Sequence, residues 1–242
     1  IGGGTSDFTV ARVGPDRAVL ADRGSDILAT TGVHIGGTDF DQLLNLRHVM
    51  PLLGLGHVGP HGRSMPSSLF HALSTWHLVP QCYTRKSLHD AAQLRSDYTE
   101  PALHKRLMHV LHERQGHRIL AHTEAAKIDC SNTRADAQIA LDCIERGLGV
   151  PLTPAGLDAT LQAQVASIVA CAQACVARSG VPANRLQALY LTGGSSALAP
   201  LGVALGEAFP GAQLVTGDRL GSVAAGLAYG GAAVGRAMAV ES

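Results

Sequence analysis

Apolar and polar positions along the 242-residue chain follow two different periods, and the change from one to the other divides it into three stretches. In the first, residues 1–48, short runs alternate with a period near two. "TSDFTVARV" and "RAVLADRG" predict strands, and the turn signal Gly14-Pro15-Asp16 between them predicts a hairpin. A third strand, "DILATTGVHI", runs into Gly36-Gly37, and "TDFDQLLNLRHV" then predicts a helix capped by Thr38 or Asp39. In the second stretch, residues 49–149, the period lengthens. "KSLHDAAQLRSDY" and "PALHKRLMHVLHERQGHRILAHTEAAKI" predict amphipathic helices, with a strand after them at "DAQIALDCI". The third stretch, 150–242, opens with Thr153 as an N-cap and Pro154 at the first helical position. Leu157, Leu161, Val165, Ile168, Val169, Ala172 and Val176 mark the buried face of a helix of more than 20 residues. A strand ("LQALYLTGG"), a helix ("ALAPLGVALGEAF"), a strand ("AQLV") and a final Ala-rich helix complete the pattern. Strands and helices alternating around a helical insertion predict an α/β fold of two subdomains, 1–48 with 150–242 and an insert at 49–149.

Composition narrows the class. Hydrophobic residues make up 46% and charged residues 16%, as in a globular protein with a sizeable core. Aromatics are only 4%, so that core is expected to be built from small aliphatic side chains. Nineteen basic residues balance nineteen acidic ones, which leaves no electrostatic ground for expecting nucleic acid or an anionic membrane as a partner. The five cysteines form no CxxC pair, and Cys171 and Cys175 are expected as small buried hydrophobes on one helix. Residues 222–240 carry small-residue spacing at Gly226, Gly230, Gly231 and Gly235, but with Arg236 they are expected to pack as a soluble helix. Cytoplasm is the expected compartment.

Two glycine clusters carry the candidate chemistry. Gly2-Gly3-Gly4-Thr5 precedes a strand, and Thr192-Gly193-Gly194-Ser195 lies between a strand and a helix. Bare backbone can approach a ligand closely, and successive N–H groups in such a turn attract an anion. At the second cluster the N-terminus of the helix is expected to add to the attraction for phosphate. Asp7 is placed to hold Mg²⁺ through water, since that ion takes one or two carboxylates together with phosphate oxygens. By contrast, "GLGHVG" matches GxGxxG at Gly54, Gly56 and Gly59, but Pro51 precedes it and Pro60 and Gly62 interrupt any helix after it. It therefore lacks the strand and helix of a dinucleotide fingerprint. Ten of the twelve histidines fall in the middle stretch. His104, His109, His112, His117 and His122 show no zinc spacing and are expected as solvated helix residues.

Five segments together resemble a known family. "IGGGTSDFTV" resembles the second phosphate-binding turn of the actin-like ATPases, in particular the seventy-kilodalton heat-shock chaperones. "GVHIGGTDFDQLL" is similar to the segment after their hairpin and "HTEAAKIDCS" to their adenosine-contacting helix. "LYLTGGSSALAPL" resembles their adenosine loop and "GDRLGSVAAGLA" their closing loop and helix. The segments keep the family's order from residue 1 to about 230. The resemblance implies an actin-like ATPase (ribonuclease H-like) lobe with an inserted, mainly helical outer subdomain. It further implies that Gly2, Gly3, Gly4 and Thr5 cradle the β- and γ-phosphates, with catalytic roles for Thr5 and Asp7. Gly37 would supply a backbone contact, Glu124, Lys127 and Ser131 would bind ribose and base, and Gly193, Gly194 and Ser195 would form the adenosine loop. Asp218 would stand beside the nucleoside.

The resemblance also carries departures. Ile128 and Ala197 stand where the family commonly has arginines, whose planes stack on adenine for about 1 kcal/mol each, so a weaker or differently oriented base is expected. Nothing matches the family's first phosphate turn or catalytic lysine, which lie in an N-terminal lobe. The chain is thus expected to be the second lobe of a larger, short, chaperone-like bacterial protein, with the missing lobe as its partner and a protein client or co-chaperone as a further one. ATP or ADP with Mg²⁺ is the expected ligand, and the isolated chain is expected to be inactive. Two alternatives stay open: a kinase-like or exopolyphosphatase-like phosphoryl transferase, and a scaffold that has lost nucleotide binding.

Overall fold

The computed structural model of the chain describes residues 1–18, 24–60, 62–217 and 221. The fold is mixed α/β, with long helices and three two-stranded sheets among the described residues. In chain order the elements are β1 (Ser6–Ala11), α1 (Pro15–Ala18), β2 (Ile27–Val33), α2 (Gly37–Leu44), α3 (Ser68–Leu73), α4 (Arg85–Gln93), α5 (Pro101–His112) and α6 (Gly116–Thr133). They continue as β3 (Ala137–Ala140), β4 (Gly149–Leu152), α7 (Pro154–Ser179), β5 (Ala188–Leu191), α8 (Ala199–Ala208) and β6 (Gln213–Thr216). Two compact units emerge: Ile1–Gly37 with Ala166–Ser242, and Thr38–Val165.

In the first unit, β1 pairs antiparallel with β2, Ser6 opposite Val33 and Val10 opposite Ala29. This corrects the expected hairpin, in which "RAVLADRG" was to be the partner. Pro15 there starts a helical turn, closed by the Arg17 N–H donating to the Gly14 carbonyl at 3.1 Å, and this keeps Arg17 and Ala18 out of a strand. Residues 19–23 of that predicted strand lie outside the described residues. The β1–β2 ribbon packs on the C-terminal half of α7. The Cys175 thiol lies 3.5 Å from the Phe8 carbonyl, and the Thr31 hydroxyl donates to the Cys171 carbonyl at 3.2 Å. Cys175 is buried, and Cys171 is intermediate; all five cysteines are free thiols. β5 and β6 pair in parallel, Ala188 opposite Gln213, and α8 between them buries Leu201 and Leu205. The predicted final helix at 222–240 lies outside the described residues.

The second unit is mainly helical. Phe40, Leu44, Met50, Leu53, Phe70, Leu73, Leu107, Leu111 and Ile119 form its core, an aliphatic set with two phenylalanines. The predicted strand at "DAQIALDCI" forms as β3. Its partner β4 was not foreseen, because Gly149 and Pro151 signal a break. Pro151 pairs opposite Gln138 in a ribbon of two strands, where a missing N–H on an edge is tolerated. α7 begins as expected: the Thr153 hydroxyl accepts the Gly156 N–H at 3.0 Å. Leu157, Leu161, Val165, Ile168, Ala172 and Val176 are all buried along it, while Val169 is half-buried. That buried stripe accounts for a helix whose length and hydropathy alone would suffice to cross a membrane.

"GLGHVG" takes no nucleotide-fold geometry. Met50–Leu53 is a short 3-10 turn ending at Gly54, and Val58 makes an isolated bridge with Ser64. The Tyr98 hydroxyl donates to the Leu53 carbonyl at 2.8 Å, and the chain turns at Gly54 under the tyrosine ring.

Candidate functional site

In the first unit, three segments meet backbone to backbone. The Gly2 N–H donates to the Thr5 carbonyl at 2.9 Å, which folds residues 2–5 into a turn, and the Gly37 N–H donates to the Gly2 carbonyl at 3.0 Å. A side chain on Gly36 would have its Cβ 2.6 Å from the Gly3 carbonyl and the Gly4 nitrogen. One on Gly37 would meet the Ser195 hydroxyl, and one on Gly193 would meet the backbone of Ile1. Gly193 also has φ +86° and ψ 151°, a conformation confined to glycine. The two glycine clusters thus come together with Gly36-Gly37 as one junction, and glycine is needed at Gly36 and Gly193, where backbone meets backbone.

The same junction leaves other glycines open. A Cβ on Gly3, Gly4 or Gly194 would meet nothing within 4 Å, and all three residues are exposed. The Cα atoms of Gly3, Gly4 and Gly194 thus face open space, while the Gly3–Gly4 peptide packs against Gly36. The helix expected directly after Gly193-Gly194 is displaced. Gly194–Ala197 forms a 3-10 turn in which the buried Ser196 hydroxyl donates to the Gly193 carbonyl at 2.7 Å, Leu198 is extended, and α8 starts only at Ala199. Any helix-end donors beside the glycines therefore belong to the short turn, not to α8.

Thr5 and Asp7 are coupled, the Thr5 hydroxyl donating to an Asp7 carboxylate oxygen at 2.8 Å. Asp7 is exposed on β1. One exposed carboxylate fits a water-mediated Mg²⁺ beside phosphate oxygens. Among the described residues no group of three or more His, Cys, Asp or Glu side chains is gathered to hold a metal by itself.

In the second unit, Glu124, Lys127 and Ser131 lie on α6 at helical spacing, but in different surroundings. Glu124 is exposed, whereas Lys127 and Ser131 are 7% and 4% exposed. Lys127 is held by Asp41 of α2, Nζ to Oδ1 2.7 Å. Burial pushes the Asp41 carboxyl up to about 6 against the opposing pull of Lys127, with the Glu124 charge adding a smaller push in the same direction. Asp41 was not singled out from the sequence. It falls inside an ordinary helical pattern, and its partner is far along the chain.

Asp41 and Glu124 also line a pocket of about 240 Å³, together with Thr38, Ser74, Trp76 and Leu120. Beside it the Asn45 side-chain amide donates to the Ser74 hydroxyl at 3.1 Å, both residues being buried. Ile128 is 48% exposed on α6, and Asp218 lies outside the described residues.

The histidines are structural donors more than solvated residues. Ring N–H groups of His104, His109, His117 and His122 donate to the carbonyls of Ala91, Cys143, Trp76 and Ala140. A carbonyl only accepts, so each of these rings presents an N–H to it and ties its helix to a neighbouring segment. No protein-family model matches the chain.

Proposed function

We propose that the chain is the C-terminal nucleotide-binding lobe of an actin-like ATPase of the heat-shock-chaperone type, acting with an N-terminal lobe supplied by the rest of the protein. The observation that carries this reading is the glycine junction. Three separate segments that resemble the family's phosphate- and nucleoside-binding turns converge, with glycine needed at Gly36 and Gly193, where backbone meets backbone, and open space beside the Cα atoms of Gly3, Gly4 and Gly194. Gly2, Gly3, Gly4 and Thr5 would hold the phosphates, Asp7 the magnesium through water, and Gly193, Gly194 and Ser195 the nucleoside side. Bound Mg²⁺ would neutralise charge on the transferring phosphoryl group, and positioning with charge stabilisation does the rest of that chemistry. The groups in this chain orient the nucleotide; a catalytic lysine and the first phosphate turn belong to the other lobe.

A scaffold reading is favoured by one observation: the Lys127 ammonium is engaged by Asp41 rather than presented to a ligand. Calorimetry of the full-length protein with Mg·ADP separates the two. Binding that weakens at least tenfold when Gly4 is replaced by valine supports the nucleotide lobe; no binding supports the scaffold. The isolated 242-residue chain is expected to show no measurable ATP hydrolysis, and magnesium-dependent turnover by it alone would overturn the lobe assignment.

A further inference from the structure

The pocket of the helical unit has a chemistry of its own, although its Glu124 is also the residue that the family resemblance places on the ribose. Its two carboxylates, Asp41 and Glu124, do not carry equal charge into it. Asp41 is matched by Lys127 at 2.7 Å, while Glu124 has no ion pair among the described residues. One negative charge is left over. Beside it stands Trp76, 56% exposed, and Leu120 supplies a nearly buried apolar wall. Trp76 is anchored: the His117 ring lies 4.5 Å from the indole, tilted by 55°, and its N–H donates to the Trp76 carbonyl at 3.0 Å. Thr38 and Ser74 complete the lining, the Ser74 hydroxyl being held by the Asn45 amide.

We propose that this pocket binds a small organic monocation, an ammonium or guanidinium on an apolar stem, with Glu124 as counter-charge and the Trp76 indole as its aromatic face. An aromatic ring and a carboxylate around an apolar wall attract such a cation through the ring quadrupole, through charge, and through burial of its stem. The other ligand classes fit less well. Phosphates and carboxylates meet a surplus negative charge. A hard divalent cation requires several oxygen ligands, whereas here one carboxylate is already paired and two of the six lining residues are Trp76 and Leu120. A volume of about 240 Å³ admits a side-chain-sized molecule.

The chain contains a single tryptophan, so its fluorescence reports on this pocket alone. Titrating the 242-residue chain with phenethylammonium is expected to change Trp76 emission saturably. The uncharged 2-phenylethanol should bind about tenfold more weakly, as loss of both the charge and the cation–ring attraction requires. Glu124→Gln, on an exposed helix face, should reduce phenethylammonium affinity by about five- to tenfold with unchanged circular dichroism. Trp76→Leu, measured by calorimetry, should do the same. These titrations are run without nucleotide, so loss of the cation response counts against this pocket alone, whereas loss of Mg·ADP binding by the full-length protein counts against the nucleotide reading alone. Equal affinity for the alcohol, or unchanged affinity in Glu124→Gln, or no saturable response at all, overturns the proposal.

Discussion

The glycine junction of the first unit and the pocket of the second are built from opposite materials. At the junction, main chains touch and the missing Cβ is what lets them meet: Gly36 lies against Gly3 and Gly4, Gly37 against Ser195, and Gly193 against Ile1. In the pocket, side chains from α2, α6 and the segment after α3 converge, and their charges and rings set the chemistry. The first arrangement tolerates no addition at Gly36 or Gly193. The second tolerates substitutions of similar shape and responds to pH through Asp41. A backbone-built site is thus fragile to volume, and a side-chain-built site is fragile to charge.

The largest expected effect tests the first half of that contrast. Gly193→Ala must abandon a glycine-only conformation and also displace the Ile1 backbone, and Gly36→Ala must displace Gly3 and Gly4. Each should lower unfolding free energy by about 3 kcal/mol, the upper part of the range for overpacking and backbone strain. Urea denaturation of the two variants checks this; midpoints within error of wild type would mean that the segments do not meet as described.

The second expected effect tests charge in the other unit. The Asp41 carboxyl titrates at about 6, raised from 3.8, so the folded protein holds this proton more tightly than the unfolded chain. Between those values the folded state binds more protons, and stability therefore falls as pH rises through that window. A shift of about two pKa units corresponds to on the order of 3 kcal/mol lost from pH 4 to pH 7 through this group. Asp41→Asn, which keeps an acceptor oxygen for Lys127, should flatten that part of the profile. The readout is the wild-type minus variant stability difference at several pH values; a difference that stays constant across the window refutes the assignment.

The same distinction explains how much of each region was legible in the sequence. Glycine clusters beside strands are local features, and residues 2–5 and 192–195 could be singled out without knowing what they touch. That Gly36 is the residue under Gly3 could not be read, because nothing in its neighbours names the segment that crosses it. The hairpin partner was misjudged for a local reason: alternation in "RAVLADRG" outweighed a proline that opens a helical turn at Pro15. β4 was missed because Pro151 looks like a breaker until β3 provides it with a partner. The pocket was illegible for a different reason. Asp41 sits in a helical pattern that explains it fully, Lys127 was singled out only as a ribose- or base-binding residue, and only the packing of α2 against α6 makes them a pair. Trp76 did carry a signal, as the sole tryptophan in a stretch without helical periodicity.

A smaller effect sharpens the contrast inside the helical unit, where hydrogen bonds rather than volume are at stake. Tyr98→Phe keeps the ring that covers Gly54 but removes the hydroxyl that donates to the Leu53 carbonyl at 2.8 Å. The expected loss is about 1 kcal/mol, that of leaving a buried carbonyl without its partner. A loss several times larger in urea denaturation would show that this turn depends on more than the one bond.

The smallest expected effect on stability is the most informative about the junction. Gly194 is the immediate neighbour of Gly193, yet its Cα faces open space and its backbone is not left-handed. Gly194→Ala should therefore change unfolding free energy by no more than about 0.5 kcal/mol, the usual range for an exposed site without special geometry. A methyl group there would nevertheless intrude on the face that the proposed nucleotide needs, so Mg·ADP affinity of the full-length protein should fall severalfold while the urea midpoint stays put. The two neighbouring glycines would then separate two demands that sequence alone cannot tell apart, one glycine present because the protein is packed against it and the other because a ligand is. If Gly194→Ala destabilises as strongly as Gly193→Ala, both glycines serve packing, and the open face at Gly194 loses its claim to a ligand.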